Sequence, residues 1–143
     1  MDCHTSETRS RNMSLVHGSD TKPELLVRSL LHRMGYRFRL HAKNLSGKPD
    51  IVLPRYRIVV FVHGCFWHQH SGCRKANRPT TRTDFWNKKL DGNIAQDSQN
   101  YKLLIEQGWR VLVVWECETK NKEKLADKLK IAIATLTQHT ISA

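Results

Sequence analysis

Apolar positions recur with helical spacing at Leu26, Val27, Leu30, Leu31 and Met34, which predicts a helix. Thr21-Lys22-Pro23-Glu24 before them reads as a capping box with Pro in the first turn, and Gly35 as the stop. The pattern then changes period. Tyr36–Leu40 alternates like a strand, Asp50–Leu53 is a short strand after the turn Ser46-Gly47-Lys48-Pro49, and Ile58–His63 is apolar up to Val62, as in a strand buried on both faces. Short connections make these three a meander. Thr83-Asp84 can cap a further helix, which Gly92 threatens to break; Ile94, Tyr101, Leu104 and Ile105 continue its inward face up to a cap at Gly108. Val111–Trp115 is another buried strand, reached by a helical crossover and so parallel to a neighbour. Leu125, Leu129, Ala132, Ile133 and Leu136 form a last amphipathic helix. The expected order is α-β-β-β-α-β-α, a mixed β-sheet flanked by helices in the α/β class, with one domain over residues 20–143. Residues 1–19 are polar and aperiodic and read as a flexible arm that orders on a partner.

Composition sharpens this picture. At 143 residues one core suffices, and 39% hydrophobic with 26% charged residues is ordinary for a polar globular domain. The longest apolar runs, Ile58–Val62 and Val111–Trp115, are too short to cross a bilayer, and no signal peptide is visible, so the expected location is cytoplasmic, without a membrane. The absence of a sustained heptad or long apolar stripe points to a monomer. A balance of 24 Lys+Arg against 13 Asp+Glu, net +11, steers the chain toward phosphate backbones.

The segment His63-Gly64-Cys65-Phe66-Trp67-His68-Gln69-His70-Ser71-Gly72-Cys73 concentrates metal ligands, a general base and large aromatics directly after the central strand. Cys65, His70 and Cys73, with Cys117 past the end of the later strand, offer three thiolates and one imidazole, the donor set of a closed structural Zn2+ site. The same residues are compatible with a buried thiol and solvated histidines, because C-x4-H-x2-C is no standard zinc-finger spacing. Cys3 lies in the arm and is not counted as a ligand. Asp50 opens a strand at the rim of the sheet, where one carboxylate and a neighbouring carbonyl suit Mg2+, an ion that keeps several waters. His68 is free to act as general base if an extended loop turns its ring away from His70. Glu24 could orient metal-bound water or serve only its helix cap, Asp50 could cap a turn, and His63 could be a satisfied strand-end histidine.

Thr8-Arg9-Ser10-Arg11-Asn12-Met13, Gly47-Lys48-Pro49-Asp50, His63-Gly64-Cys65-Phe66-Trp67-His68, Arg82-Thr83-Asp84-Phe85-Trp86 and Gly108 through Cys117 together make the chain resemble the very short patch repair endonucleases, bacterial nickases of T:G mismatches. The resemblance covers most of residues 8–120. It implies a restriction-endonuclease-like fold with structural zinc on Cys65, His70, Cys73 and Cys117. It implies Mg2+ on Asp50 and the Val62 carbonyl, His68 as base, His63 beside the scissile phosphate and Glu24 supporting the metal waters. Phe66, Trp67 and Trp86 would wedge into the base stack beside the mismatch, and the arm, with Arg9, Arg11 and Met13, would contact DNA from the opposite groove. The acidic-x-Lys motif of the wider nuclease superfamily is missing, since Phe61-Val62-His63 stands there; within the repair family that replacement is normal. The implied substrate is double-stranded DNA carrying a T:G pair from deaminated 5-methylcytosine. The implied companions are a cytosine-5 DNA methyltransferase and repair proteins, in a nucleoid-associated bacterial setting. The rivals are a restriction-type endonuclease on matched duplex and a zinc-stabilised DNA-binding module without catalysis.

Overall fold

A computed structural model describes residues 21–138. The arm, with Arg9, Arg11, Met13 and Cys3, lies outside the described residues. Helix α1 spans Lys22–Arg33, β1 Arg39–Leu40, β2 Ile51–Leu53, β3 Ile58–His63, α2 Thr83–Glu106, β4 Arg110–Trp115 and α3 Lys122–Gln138. The expected order is therefore borne out. The sheet runs β1-β2-β3-β4, antiparallel through the meander and parallel where the α2 crossover joins β3 to β4.

Alternation along the strands divides the molecule into three layers. Ile51, Leu53, Ile58, Val60, Leu112 and Val114 point to one face, where they meet Val27, Leu30 and Leu31 of α1 and Leu125, Leu129 and Ile133 of α3. Val52, Val59 and Phe61 point to the other face and pack on Leu104 of α2. That parity decides where the chemistry sits. His63 follows Val59 and Phe61 on the face under α2, and it pairs with Trp115 at the common end of the parallel strands.

Several local expectations are corrected. The first strand shrinks to two residues, although the alternation holds: Tyr36 and Phe38 are half-buried on the α1/α3 core and Arg37 and Arg39 are exposed. Gly92 does not break α2, which runs unbroken for 24 residues. Nothing stands within 4 Å of a Cβ placed there, so the glycine costs only helix propensity, about 1 kcal/mol. Leu90 and Leu104 are the buried residues of α2, whereas Ile94 and Ile105 are exposed. Nor do Thr83 and Asp84 cap it: Arg82 holds the N-cap with φ 50° and no side-chain bond, its guanidinium over the Phe85 ring at 4.5 Å. Both glycine stops hold. Gly35 at φ 85° and Gly108 at φ 90° adopt the left-handed turn that closes α1 and α2.

Candidate active site and metal centre

The loop after β3 does not extend; it coils. His68 N–H donates to the Gly64 carbonyl at 3.1 Å, His70 N–H to the Cys65 carbonyl at 2.9 Å, and Gln69 between them takes φ 53°. The two rings still separate, but by a left-handed turn at Gln69 rather than by strand alternation. His68 lies on His63, ring centroids 3.7 Å apart and planes 12° from parallel, while His70 stacks on Trp115 at 4.3 Å and 11°. A strut from Arg78 holds the coil to α2, donating to Gln69 Oε1, Asn87 Oδ1 and Asp91 Oδ1 at 2.7–2.9 Å. Asn93 adds a bond from Nδ2 to the Trp67 carbonyl at 2.9 Å.

Facing one way from this coil are the donor atoms of Cys65, His70, Cys73 and Cys117, all within 4.8 Å of one another. Cys117 Sγ is 3.4 Å from His70 Nδ1. Zinc bonds of about 2.0–2.3 Å in a tetrahedron need donor separations of roughly 3.3–3.8 Å; the Cys117–His70 pair lies in that range, and three thiols with one imidazole are a donor set that suits the ion. Burial pushes the Cys65 thiol up to about 12. Backbone N–H donors, Lys75 first, draw Cys73 below its ordinary value. None of the three cysteines is in a disulfide.

On the opposite side stand His63, His68 and Asp97. Asp97 is a residue that sequence reasoning missed: its Oδ2 lies 2.6 Å from His68 Nδ1. A lone Asp on a polar helix face carries no signal until the loop folds against it. Tyr101, read above as core, sits one turn further along α2, with its hydroxyl 2.6 Å from His63 Nε2. Burial and then the neighbouring His68 ring press His63 down to about 3, so it is neutral at physiological pH.

Asp50 reaches the same rim from β2. Its Oδ2 accepts from the Val62 N–H at 2.8 Å, and its backbone N–H donates to the Val60 carbonyl at 3.1 Å. Burial, only partly offset by the Val62 N–H, raises its carboxyl to about 6; Glu24 raises it further, while His41 and His68 lower it. A carboxylate so desolvated, with one oxygen engaged by an amide and two imidazoles within electrostatic range, is suited to a divalent cation. Glu24 is nearly fully buried, at 2% exposure. Only half of the predicted capping box forms: Glu24 N–H donates to the Thr21 hydroxyl at 3.4 Å, but its carboxylate meets His41 Nε2 at 2.6 Å and Arg28 at 3.7 Å. The acid thus faces the Asp50 rim, not its own helix terminus.

Phe66, Trp67 and Trp86 form one aromatic cluster, with ring centroids 5.1, 5.5 and 5.9 Å apart, and all three are half-buried. Trp86 is therefore not a fully buried core residue of α2; it packs on Phe66 and Trp67 of the loop that also carries His68.

A family model described as DNA mismatch endonuclease Vsr matches residues 1–75. The DNA mismatch endonuclease Vsr of Escherichia coli is 45% identical over 127 residues, covering 89% of this chain and 81% of the relative. The chain belongs to the Vsr family. Two further relatives of this family member are named type II nicking enzymes. V.XorIIP of Xanthomonas oryzae pv. oryzae is 50% identical over 124 residues, 87% of this chain and 90% of the relative. V.NmeAIP of Neisseria meningitidis is 47% identical over 128 residues, 90% and 91% respectively. Membership makes this Vsr-family chain a nicking DNA endonuclease, a hydrolase of the phosphodiester backbone. Among the described residues no helix is long and apolar enough to cross a membrane.

Proposed function

We propose that the enzyme nicks double-stranded DNA on the 5′ side of the mispaired thymine in T:G mismatches left by deamination of 5-methylcytosine. The observation that carries this reading is the His68–Asp97 contact at 2.6 Å, with the half-buried Asp50 carboxylate within electrostatic reach of His68 and the Phe66–Trp67–Trp86 cluster beginning on the same loop. The fold is read as restriction-endonuclease-like, acting as a monomer, with Cys65, His70, Cys73 and Cys117 holding a structural Zn2+ that ties the coil to β4.

Asp97, accepting from Nδ1–H, orients the His68 ring and makes Nε2 the basic nitrogen, as in other carboxylate-oriented histidine bases. Nε2 then takes a proton from the attacking water. His63, stacked on His68, would donate to a phosphate oxygen. Asp50, with the Val62 carbonyl, would hold Mg2+, which when bound neutralises phosphate charge and stabilises the leaving 3′ oxygen. Glu24 supports that rim from α1 through His41. Phe66, Trp67 and Trp86 supply mismatch selectivity: opening a base step costs a few kcal/mol, least at a weakened pair, and ring–base stacking returns roughly 1–3 kcal/mol per base. Arg9, Arg11 and Met13 of the arm would add contacts from the opposite groove. A cytosine-5 DNA methyltransferase and repair proteins are the functional companions, within the bacterial nucleoid.

The test pairs cutting with binding. Wild-type protein with Mg2+ nicks a T:G duplex, whereas Asp50→Asn and His68→Ala retain its binding in a gel-shift assay and lose the nick. Equal nicking by either variant would overturn the assignment. Binding without any Mg2+-dependent nicking by wild type would leave a zinc-stabilised DNA-binding module.

A further inference from the structure

Helix α2 presents two side chains, one turn apart, to the stacked imidazoles. Asp97 meets His68 and Tyr101 meets His63, each at 2.6 Å. Spacing of four puts the pair on one helix face, aimed at two rings that lie 3.7 Å apart. The carboxylate half of this arrangement has a role in the nicking reaction as read above. The phenol half has none yet.

Packing alone does not account for the phenol. The Tyr101 ring lies against Phe61, centroids 5.4 Å apart, which a Phe side chain would do as well. The one hydrogen-bond partner of its hydroxyl among the described residues is His63 Nε2. Burial, and then the Asp97 charge, hold the Tyr101 hydroxyl above its ordinary pKa, so it remains a donor. An imidazole whose Nε2 accepts a hydrogen bond carries its proton on Nδ1. Among the described residues nothing bonds His63 Nδ1, so that N–H is available to an incoming group.

We propose that Tyr101 is a positioning residue for the nicking reaction: its hydroxyl donates to His63 Nε2, fixing the ring plane and selecting the Nδ1–H tautomer that faces a phosphate oxygen. This rests on the active-site reading above. Stacking by itself leaves the His63 ring free to turn over; the phenol defines which edge it presents to DNA.

The experiment uses the full chain with Tyr101→Phe and Tyr101→Leu, each checked by thermal unfolding. Long-range 15N–1H NMR of the histidine rings without DNA reads the tautomer. Wild type should show Nδ1–H at His63, and Tyr101→Phe a mixture. Single-turnover nicking of a T:G duplex should fall about 10-fold in Tyr101→Phe, the effect of one lost hydrogen bond, with duplex Kd unchanged. Tyr101→Leu should be equally slow, and Tyr101→Phe should add nothing in a His63→Ala background. An unchanged tautomer with an unchanged nicking rate overturns the proposal. So does Tyr101→Phe matching wild type while Tyr101→Leu fails, which would assign the residue to packing. Wild-type protein that shows the tautomer but nicks nothing would instead defeat the active-site reading.

Discussion

Replacing Asp50 by Asn should stabilise the Mg2+-free protein while abolishing its activity. Burial raises the Asp50 carboxyl from 3.8 to about 6, which means that folding takes an ionised carboxylate into an unfavourable setting. The sign follows from linkage. A group whose folded pKa exceeds its unfolded one binds more protons in the native state between those values, so its contribution to stability falls as pH rises from about 4 to 6 and stays lost above. A shift of roughly two pKa units corresponds to about 3 kcal/mol at pH 7. Asn keeps an oxygen to accept the Val62 N–H that now bonds Oδ2 at 2.8 Å, so the local geometry survives. Thermal unfolding in Zn2+-containing, Mg2+-free buffer should show Asp50→Asn melting roughly 6–12 °C above wild type at pH 7. Below pH 4, where both states are protonated, the gain should vanish. A variant that melts lower than wild type at pH 7, or a gain independent of pH, would refute the claim that this carboxylate sits in the fold under desolvation strain.

Asp97→Asn should cost nicking about 10- to 100-fold with little change in duplex affinity, because it removes the partner that orients His68 rather than a DNA contact; single-turnover rates with gel-shift controls read this. Cys117→Ser should lower bound zinc, measured by atomic absorption, and lower the melting temperature. The coil that Cys117 would tie down carries His68, Phe66 and Trp67, so nicking should fall with the metal. Phe66→Ala with Trp86→Ala should weaken binding to a T:G duplex by roughly 1–3 kcal/mol per ring and narrow the gap between mismatched and matched duplexes in competition titrations. Leu104→Ala, which opens a gap under α2 where Leu104 is fully buried, should destabilise by about 2–5 kcal/mol in chemical denaturation.

The elements that could be read in advance were those whose pattern is local. Ile58–His63 declares a central strand through an unbroken apolar run, and Gly35 and Gly108 declare helix ends because only the left-handed turn suits them. Burial inside a long helix is set by its tertiary neighbours, which is why Leu90 is buried while Ile94 and Ile105, on the face that periodicity predicts, are exposed. The Cys/His cluster was recognisable because three of its members crowd into nine residues after β3 and the fourth lies just past the end of the parallel strand β4. Asp97 and Tyr101 were not, since their partners lie 29 and 38 residues away and meet them only after the crossover closes. Glu24 shows the same limit: its helix-cap position was legible, but the contact with His41 across 17 residues was not.

In the proposed reaction the Asp50 rim and the Asp97-oriented His68 together cut one strand at a T:G pair. End-labelled duplexes differing only in a T:G or C:G pair, incubated with wild-type protein and Mg2+, test it most directly. A single nick on the thymine strand, 5′ to the mispaired base, is expected, with the C:G duplex left intact. Equal cleavage of both duplexes, or cleavage of both strands, would contradict it.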